Sequence, residues 1–461
     1  MTHDRGGRTI GLGALTAATF FIVSGGPYGT EEIVRGHGYA GALVLLLLVP
    51  VVWSLPVGLL VGELGAALPH TGGFTVWVTR GLGRFWGLQE GWLSAVVGLI
   101  GLAIYPTLMV GYLSRIWPAF GEIGIGGTGW WACLALVAAC TAWNALGIRV
   151  VGQGSETLGA FLLAPFALLA ILAVVSLPGG GLAAARQAFA AAPPADASAW
   201  IAGVAIAMWN YTGFDNAGTF AAEVEHPQRN YPLAMLLSIG LITLAYSGAV
   251  LAASASGMPP SAWQEGSWVD VARALGGDRL AALVALGAVV CAAGMFLAAL
   301  LSWSRLAEAM AIDGWLPPDL ARRTGRSGTP TAAVVLGGTL SALFLGLGLR
   351  RLVEIYVLLY GIALMLEFAA LVALRVREPA LPRPFRVPGG VAGCVALAVP
   401  PAALLGLAGW MGRDEPGAFG LSALQIALVL AATGPVWWAL VGWMPRRRRD
   451  ASRQGEPSTR S

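Results

Sequence analysis

Long apolar stretches recur from one end of this chain to the other, and they constrain its fold more than any other feature. Stretches such as 40–68, 280–301 and 353–374 contain few or no charged residues. Each is long enough to cross the hydrocarbon core of a bilayer, about 30 Å thick, which needs roughly 20 helical residues. Only 11% of the residues are charged, against about 25% in a typical soluble domain. The sequence therefore predicts an all-α integral membrane protein.

The apolar stretches divide into twelve predicted transmembrane helices separated by more polar loops. An even number of spans places both termini on the same side of the membrane. The predicted spans are 10–35, 40–68, 85–112, 130–147, 155–177, 199–223, 231–254, 280–301, 330–349, 353–375, 391–410 and 421–444.

The distribution of arginine predicts which side holds the termini. The chain has no lysine, and 20 of its 28 arginines lie in the two terminal segments and the loops predicted on their side of the membrane. The positive-inside rule therefore predicts cytoplasmic termini. The basic run PRRRRD at 445–450 is interpreted as an anchor at an anionic membrane surface, not as a nucleic-acid site. Arginine in place of lysine, with abundant Ala and Gly, suggests a GC-rich bacterial genome and hence a bacterial cytoplasmic membrane.

Several classes of function lack their required residues. A P-loop needs the sequence GK[ST], so a chain without lysine carries no P-loop ATPase site. The four cysteines lie within or beside apolar spans, where thiols act as small hydrophobic groups. The four histidines form no HExxH pair, and no nucleophile motif is present. We therefore expect no metal, no cofactor and no enzymatic activity, and we expect no nucleic-acid partner.

Two predicted spans are interrupted near their middle. Span 1 contains SGGP at 24–27, and span 6 contains WNYTGFD at 209–215. In lipid, an unwound backbone is tolerated only where it is buried in protein or lines a polar cavity. A proline kink alone would explain one break. Breaks in the first and sixth spans instead indicate a transporter built from inverted five-helix repeats, with its binding site at the breaks.

The electrostatics of two broken helices suit a small charged ligand. Half-helix amino termini favour anions and half-helix carboxyl termini favour cations, so a zwitterion matches this field. The first half of span 1 is predicted to end at Ser24 and the second half to begin near Pro27, with Gly25 and Gly26 allowing close backbone approach. Aromatic residues at the second break are predicted to close over the ligand, although helix packing is an alternative role for each.

The chain resembles the amino acid-polyamine-organocation transporters over residues 8–410. The resemblance rests on SGGPYGTEE at 24–32, GELGAALPHTGGFTVWVTRGLG at 62–83, GFDNAGTFAAEVEHPQRNYP at 213–232 and AIDGWLPPDLARR at 311–323. The motifs QEGW at 89–92, AIYP at 103–106, GMF at 294–296 and LEF at 366–368 look most like the polyamine-proton symporter branch. The resemblance implies a leucine-transporter-type fold with a 5+5 inverted repeat, substrate held between helices 1, 3, 6, 8 and 10, and uptake driven by a proton gradient.

This resemblance divides the chain into a cytoplasmic amino-terminal segment, two repeats, two further helices and a basic cytoplasmic tail. The predicted ranges are 1–9, 10–177 for helices 1–5, 199–375 for helices 6–10, 391–444 for helices 11–12, and 445–461. The predicted substrate-binding residues are Ser24, Gly25, Gly26, Glu31, Tyr105, Trp209, Asn210, Tyr211, Phe214 and Asp215.

Three departures from the polyamine pattern bear on the substrate. Gly101, Gly111 and Ala299 stand where that branch carries acidic residues. Each unpaired ammonium of a buried polyamine costs several kcal/mol, so fewer counter-charges favour a substrate with less net charge. We therefore predict import of an amino acid or amino-acid-like amine by alternating access, with a polyamine as the alternative substrate. A channel is disfavoured because the chain has no repeated filter segment.

Proton coupling is predicted to use a buried carboxylate, with Asp215, Glu31 and Glu367 as candidates. Asp215 has the alternative role of capping the restarted half of span 6. Glu367 is deep enough in span 10 that it must be protonated or paired. Ser302 and Ser304 leave a sodium site open as an alternative. The sequence gives no oligomeric state, stoichiometry or side-chain preference.

Overall fold

A computed structural model describes residues 10–69, 73–147, 155–191, 197–323, 328–413 and 420–443. These residues form helices joined by turns and loops. The fifteen α-helices are α1 Leu12–Val23, α2 Glu31–Val49, α3 Leu55–Ala67, α4 Gly73–Leu82, α5 Arg84–Leu113, α6 Thr128–Ala145, α7 Ser155–Ser176, α8 Gly181–Ala190, α9 Ala197–Asn210, α10 Pro227–Ser254, α11 Trp268–Ile312, α12 Thr331–Ala342, α13 Leu349–Arg377, α14 Gly390–Met411 and α15 Ala423–Trp443.

Within the described ranges, seven helices are long and apolar enough to cross a membrane, or eight if the bent pair Leu163–Gly179 and Gly181–Ala190 is one span. This number is smaller than twelve because several predicted spans are not single long helices. The breaks interrupt the first and sixth spans, so their first halves α1 and α9 are too short, and α12 is also a short apolar helix. The segment Glu31–Ala67 joins the second half of span 1 to span 2, with a kink at Gly38 (φ 67°).

The first break runs from Ser24 to Thr30. α1 ends at Val23, and the chain re-enters a helix at Glu31. Gly26 (φ 79°) and Gly29 (φ 88°) adopt positive φ angles that disfavour any other residue. The prediction that Pro27 opens the second half-helix is wrong: its carbonyl instead accepts from the Thr30 backbone N–H and hydroxyl, at 3.2 and 2.6 Å, in a turn before the helix.

The second break follows α9, which ends at Asn210. Gly213 (φ 111°) turns the chain, and residues Phe214–Glu223 form a 3₁₀ helix in place of a second α-helical half. A 3₁₀ helix rises about 2.0 Å per residue and so reaches farther than an α-helix of equal length. The chain then enters α10 through His226, which has φ 43°.

One end of the bundle, which we call the inner end, is defined by contacts near the start of α1. Ile10 and Val224 form an isolated parallel bridge, and the Glu225 N–H donates to the Ile10 carbonyl at 3.0 Å. These contacts tie the beginning of α1 to the end of the 3₁₀ helix. The positive-inside prediction places this end in the cytoplasm. The opposite end is the outer end.

A buried ion-pair network also lies at the inner end. Glu63 of α3 is fully buried and accepts two hydrogen bonds from Arg375 of α13, at 2.6 and 2.5 Å. Arg383 lies 3.2 Å from the same carboxylate, and the Val387 N–H donates to it at 2.7 Å. Glu63 therefore joins α3 to α13 and to the loop after α13.

The three helices that carry most of the site residues outside the breaks are long and pack together. α5 packs against both α11 and α13. α11 runs from Trp268 to Ile312, well beyond the predicted 280–301: helical residues 268–276 precede a kink at Gly277 (φ 72°), and the helix continues past residue 301. The first break contacts α11 through Cys291, and the second contacts α13 through Tyr360, so both breaks face this group of helices.

Candidate functional site

Glu31 is the first residue of the restarted helix α2, at the outer side of the first break. Its side chain is buried, and its Oε1 accepts a hydrogen bond from the Tyr112 hydroxyl of α5. The backbone N–H groups of Gly29 and Gly266 also face this carboxylate. No arginine forms an ion pair with it among the described residues. The first break thus holds a buried acid whose side-chain partner is neutral.

Asp215 occupies the equivalent place at the second break. It is the second residue of the 3₁₀ helix, it is buried, and its Oδ1 accepts from the Tyr360 hydroxyl of α13 at 2.5 Å. Tyr360 stacks on Tyr356 one turn away, with ring centroids 6.1 Å apart. The position of Asp215 in the first turn of the 3₁₀ helix is also compatible with its predicted capping role. Both breaks therefore pair a carboxylate with a tyrosine from a long scaffold helix.

The predicted backbone ligands lie at the first break, but part of their capacity is used within the chain. The Gly26 N–H donates to Ser24 Oγ at 3.1 Å. The Gly25 carbonyl accepts from the Cys291 thiol of α11 at 3.4 Å. Across the bundle, the Asn210 carbonyl accepts from the Tyr246 hydroxyl at 3.3 Å. Fewer N–H groups are therefore left to bind a ligand carboxylate than the sequence of the break predicts.

The predicted aromatic residues separate into two sets. Trp209 is half-buried and lies against Gly29, so close that a Cβ there would be 2.8 Å from Trp209 Cζ3. Phe214 is fully buried at the second break, and Tyr105 of α5 lies near both Cys291 and Tyr356.

Tyr211 forms the second set. Its hydroxyl donates to the Leu46 carbonyl at 2.9 Å, and its ring packs against Tyr246. The structure brings the first three together around the breaks and places Tyr211 against α2 and α10.

A small cavity of about 60 Å³ lies just outside the first break, and we call it the outer chamber. This volume holds a few water molecules. Its lining includes Gly29, Glu32, Trp209, Glu265, Arg350 and Val353. Glu265 comes from the loop before α11, and its Oε1 is inaccessible and has no hydrogen-bond partner. The chamber thus brings two further glutamates close to Glu31.

The carboxyl of Glu265 is held in an environment that favours its protonated form. Burial, with smaller effects from the nearby charges of Glu31 and Glu32 and an opposing effect of Arg115, raises its pKa from 4.5 to about 8. The Arg115 guanidinium also donates to the Glu265 carbonyl at 3.2 Å and pairs with Asp270 at 3.4 Å. Glu265 therefore gains a charge near neutral to mildly alkaline pH.

A family model described as "Amino acid permease" matches residues 16–443, which is nearly the whole chain. The chain belongs to the amino acid permease family. Curated relatives include the polyamine transporter PUT1 of Oryza sativa subsp. japonica, 35% identical over 92% of this chain and 78% of the relative. Another is the polyamine transporter RMV1 of Arabidopsis thaliana, 32% identical over 89% of this chain and 82% of the relative. The resemblance to the polyamine branch is thereby confirmed.

The fold of the permease matches a solved transporter. MhsT in complex with L-phenylalanine superposes with a TM-score of 0.59 at 16% identity, over 88% of this chain and 99% of that chain. This likeness confirms the predicted leucine-transporter-type fold with broken helices 1 and 6. Together with the family match, it makes the chain a multi-pass membrane transporter of a small molecule, not an enzyme.

Two of the three positions that depart from the polyamine pattern are filled from elsewhere in the permease. A Cβ on Gly111 would lie 2.5 Å from Glu265 Oε1, so a carboxylate from the loop before α11 occupies the space beside this glycine. A Cβ on Gly101 would lie 3.0 Å from the ring of Tyr356. Ala299 of α11 is a partly buried apolar contact. Although position 111 itself has no acid, the Glu265 carboxylate places a negative charge in that region at alkaline pH.

Two buried acids of the permease, Glu265 and Glu90, were not predicted from the sequence. Glu265 lies in a short polar loop, where nothing nearby in the sequence indicates burial. Glu90 lies in the second turn of α5 and is 1% exposed, and one of its oxygens has no partner. Glu90 was present in the QEGW motif, and a glutamate close to a long apolar run is a detectable signal of an intramembrane acid. Glu367 of α13, which was predicted, is equally buried and also has an unpartnered oxygen.

Proposed function

We propose that this permease imports an organic amine, with a di- or polyamine as the substrate, by alternating access coupled to the proton gradient. One observation carries the proposal. Glu31 and Asp215, one at each break, are buried carboxylates whose side-chain partners are tyrosine hydroxyls, and neither has an ion-paired arginine in the described part of the chain. A buried charge of this kind is stabilised when a cation reaches it. Two such acids suit a ligand with two amines.

Three further observations support an amine over a zwitterion. The Gly26 N–H is already bound to Ser24 Oγ, and the Thr30 N–H to the Pro27 carbonyl, so the first break offers less to a ligand carboxylate. Glu32 lines the outer chamber above Glu31, and Glu265 adds negative charge there once it loses its proton at mildly alkaline pH. The printed names of the curated relatives are those of polyamine transporters.

An amino acid is the second candidate, and it was the first choice on sequence grounds. The uncharged residues at positions 101 and 299 favour it, because they remove two candidate counter-ions of a polyamine. The family model is that of amino acid permeases. Under this alternative, the substrate amine binds at Asp215 or Glu31, and its carboxylate must displace Ser24 from the Gly26 N–H.

Uptake into proteoliposomes separates these candidates. Purified permease is reconstituted, an inward proton gradient is imposed, and labelled putrescine and labelled leucine are tested side by side. We expect accumulation of putrescine, abolished by Glu31→Gln and by Asp215→Asn. Glu122→Gln is the matched control, because Glu122 lies exposed in the outer loop after α5. Accumulation of leucine alone would favour the second candidate. Near-normal putrescine uptake by both site variants would contradict the assignment.

We also propose that the permease resides in a bacterial cytoplasmic membrane with both termini in the cytoplasm. The uneven distribution of arginine supports this orientation, and the lysine-free, Ala- and Gly-rich composition supports the bacterial source. Fusions of a cytoplasmic fluorescent reporter and of a periplasmic phosphatase to the carboxyl terminus test the orientation. Activity of the phosphatase fusion would reverse it.

A further inference from the structure

A second group of buried acids lies between the substrate breaks and the inner end. Glu367 is seven residues beyond Tyr360 on α13, which is two turns, or about 10 Å, and places both on one face of the helix. Glu90 lies on α5, which packs against α13. It is six residues, or about 9 Å, from Arg84, where α5 begins at the inner end. The order from the breaks toward the inner end is therefore Asp215, Glu367 and Glu90.

The charges of these three carboxyl groups interact. Glu367 interacts electrostatically with both Asp215 and Glu90, and Glu90 interacts with Asp215. Two tyrosines of α13 also interact electrostatically with this set: Tyr360, which donates to Asp215, and Tyr356. Within the described residues, no arginine pairs with either Glu90 or Glu367, in contrast to Glu63 at the same end of the bundle.

Neither glutamate satisfies its carboxylate oxygens within the protein. Glu90 Oε1 accepts from the Ser94 hydroxyl at 3.1 Å, while Glu90 Oε2 and Glu367 Oε2 are both inaccessible and without a partner. Both residues are only 1% exposed. An unpaired carboxylate buried in this way costs several kcal/mol. Glu90, Glu367 and Asp215 therefore cannot all be charged, and the group must hold a positive charge of some kind.

A proton fits this site better than a metal ion. The described residues contain no group of three His, Cys, Asp or Glu side chains arranged to hold a metal. The three carboxyl groups are instead spread along the bundle, each near enough to influence the next. Such a series suits stepwise proton transfer, because a proton on one carboxyl lowers the cost of burying its neighbours.

We propose that Glu367 and Glu90 form the proton-exit site of this permease, which receives a proton from Asp215 and releases it at the inner end. The proposal rests on the proton coupling proposed above. In the first step the O–H bond on the Asp215 carboxyl breaks and one forms on Glu367. In the second the proton passes to Glu90, and from there to water at the inner end. No electrons change hands, and Asp215 recovers its negative charge for the next cycle.

The test compares proton-driven accumulation with exchange in proteoliposomes whose membrane potential is clamped at zero. A gradient of one pH unit supports about tenfold accumulation per coupled proton. We expect Glu90→Gln and Glu367→Gln each to reduce accumulation to about onefold, which is equilibration. Exchange of external for internal substrate moves no net protons, and we expect both variants to retain it within about twofold of the unmodified permease.

The matched control is Glu308→Gln. Glu308 is also a buried glutamate near the inner end, but its carboxylate is paired with Arg323 at 2.6 Å. We expect this variant to keep the full gradient-driven accumulation. Accumulation at the unmodified level by either Glu90→Gln or Glu367→Gln would overturn the proposal.

A measurement without substrate keeps this inference separate from the proposed transport function. Infrared spectroscopy of the purified permease detects the carbonyl stretch of protonated carboxyl groups. The measurement uses a Glu265→Gln background, because Glu265 is also held protonated at neutral pH. In this background we expect such a band at neutral pH and its loss when Glu90→Gln and Glu367→Gln are added, whatever substrate the permease moves. Persistence of the full band would place the proton elsewhere. Loss of the band from the Glu265→Gln background on adding sodium would show a cation site and would also overturn the proposal.

Discussion

Tyr360 of α13 donates its hydroxyl hydrogen to Asp215 across 2.5 Å, joining a long scaffold helix to the segment that follows the second break. Trp53 packs on the same tyrosine from the π-helical segment between α2 and α3, with ring centroids 6.2 Å apart. The position of Asp215 therefore depends on elements far from it in the sequence. A hydrogen bond to a charged group contributes about 1.5–3 kcal/mol.

We predict that Tyr360→Phe weakens substrate binding by about tenfold, because loss of this hydrogen bond leaves Asp215 without its side-chain partner. The measurement is the substrate concentration for half-maximal exchange in proteoliposomes. Tyr356→Phe is the matched control for ring packing: Tyr356 stacks on Tyr360, but its hydroxyl makes no hydrogen bond to Asp215. Equal affinities of the two variants would show that the hydroxyl of Tyr360 has no special role.

Gly29 supports a second prediction, because both its backbone and its surroundings exclude a side chain. Its φ is 88°, and a Cβ would lie 2.8 Å from Trp209. A residue with a Cβ in this conformation costs about 1–3 kcal/mol. We expect Gly29→Ala to lower the melting temperature in detergent and to reduce uptake by displacing Trp209 from the outer chamber.

Gly36→Ala is the control for Gly29→Ala. Gly36 lies on α2, which begins two residues after Gly29, and a Cβ there would meet no atom within 4 Å. Alanine is favoured over glycine in a helix by about 0.8–1.0 kcal/mol, so this variant should be as stable as the unmodified permease or slightly more so. A loss of stability in Gly36→Ala equal to that in Gly29→Ala would mean that the chain between Gly29 and Gly36 tolerates no added methyl group, whatever the backbone angle.

The sequence was sufficient to predict features that depend on residues close together in the chain. The break at 24–27 was visible because glycine and proline interrupt an apolar run, and Asp215 was visible as a carboxylate in the middle of another. The partners of these residues were not predictable, because Tyr112 and Tyr360 come from distant helices. The restart of the helix at Glu31 was missed for a similar reason: the Trp268 indole N–H, which donates to the Pro27 carbonyl at 2.9 Å, lies on α11.

Glu265 shows that the position of a charge in the folded protein also could not be predicted from the sequence. Gly111 stands where the polyamine branch carries an acid, and this position alone predicts one fewer counter-ion for a polyamine. The space beside Gly111 is taken by a carboxylate from a loop about 150 residues later in the chain. Only the folded chain shows that a missing acid on one helix can be replaced by an acid from another element.

The ion pairs of Glu63 give a third prediction, on stability. Replacing Glu63 by Gln leaves Arg375 and Arg383 buried without their shared carboxylate, and breaking a buried pair costs about 3–5 kcal/mol. We expect Glu63→Gln to lower the melting temperature in detergent markedly. Glu308→Gln should have a much smaller effect, about 1 kcal/mol or less, because the side chain of its partner Arg323 is 65% exposed. Similar melting temperatures for the two variants would contradict the assigned role of Glu63.

The raised pKa of Glu265 predicts how stability depends on pH. The folded protein holds this proton with a pKa of about 8, whereas the unfolded chain holds it near 4.5. The folded state therefore binds more protons between these values, and the stability that this proton contributes is complete below pH 4.5 and is lost as pH rises through about 8. We expect the melting temperature in detergent to fall between pH 4.5 and about pH 8 and to level off above that.

Glu265→Gln isolates this contribution, because glutamine stays neutral throughout that range while every other titrating group is unchanged. We expect its melting temperature to fall less over the same interval, and a difference of 1 kcal/mol corresponds to about 2 °C. Glu122→Gln, at an exposed site on the same end of the bundle, should follow the unmodified permease. If the Glu265→Gln and unmodified curves run parallel, the Glu265 carboxyl has an ordinary pKa, and the outer chamber is already fully charged at neutral pH.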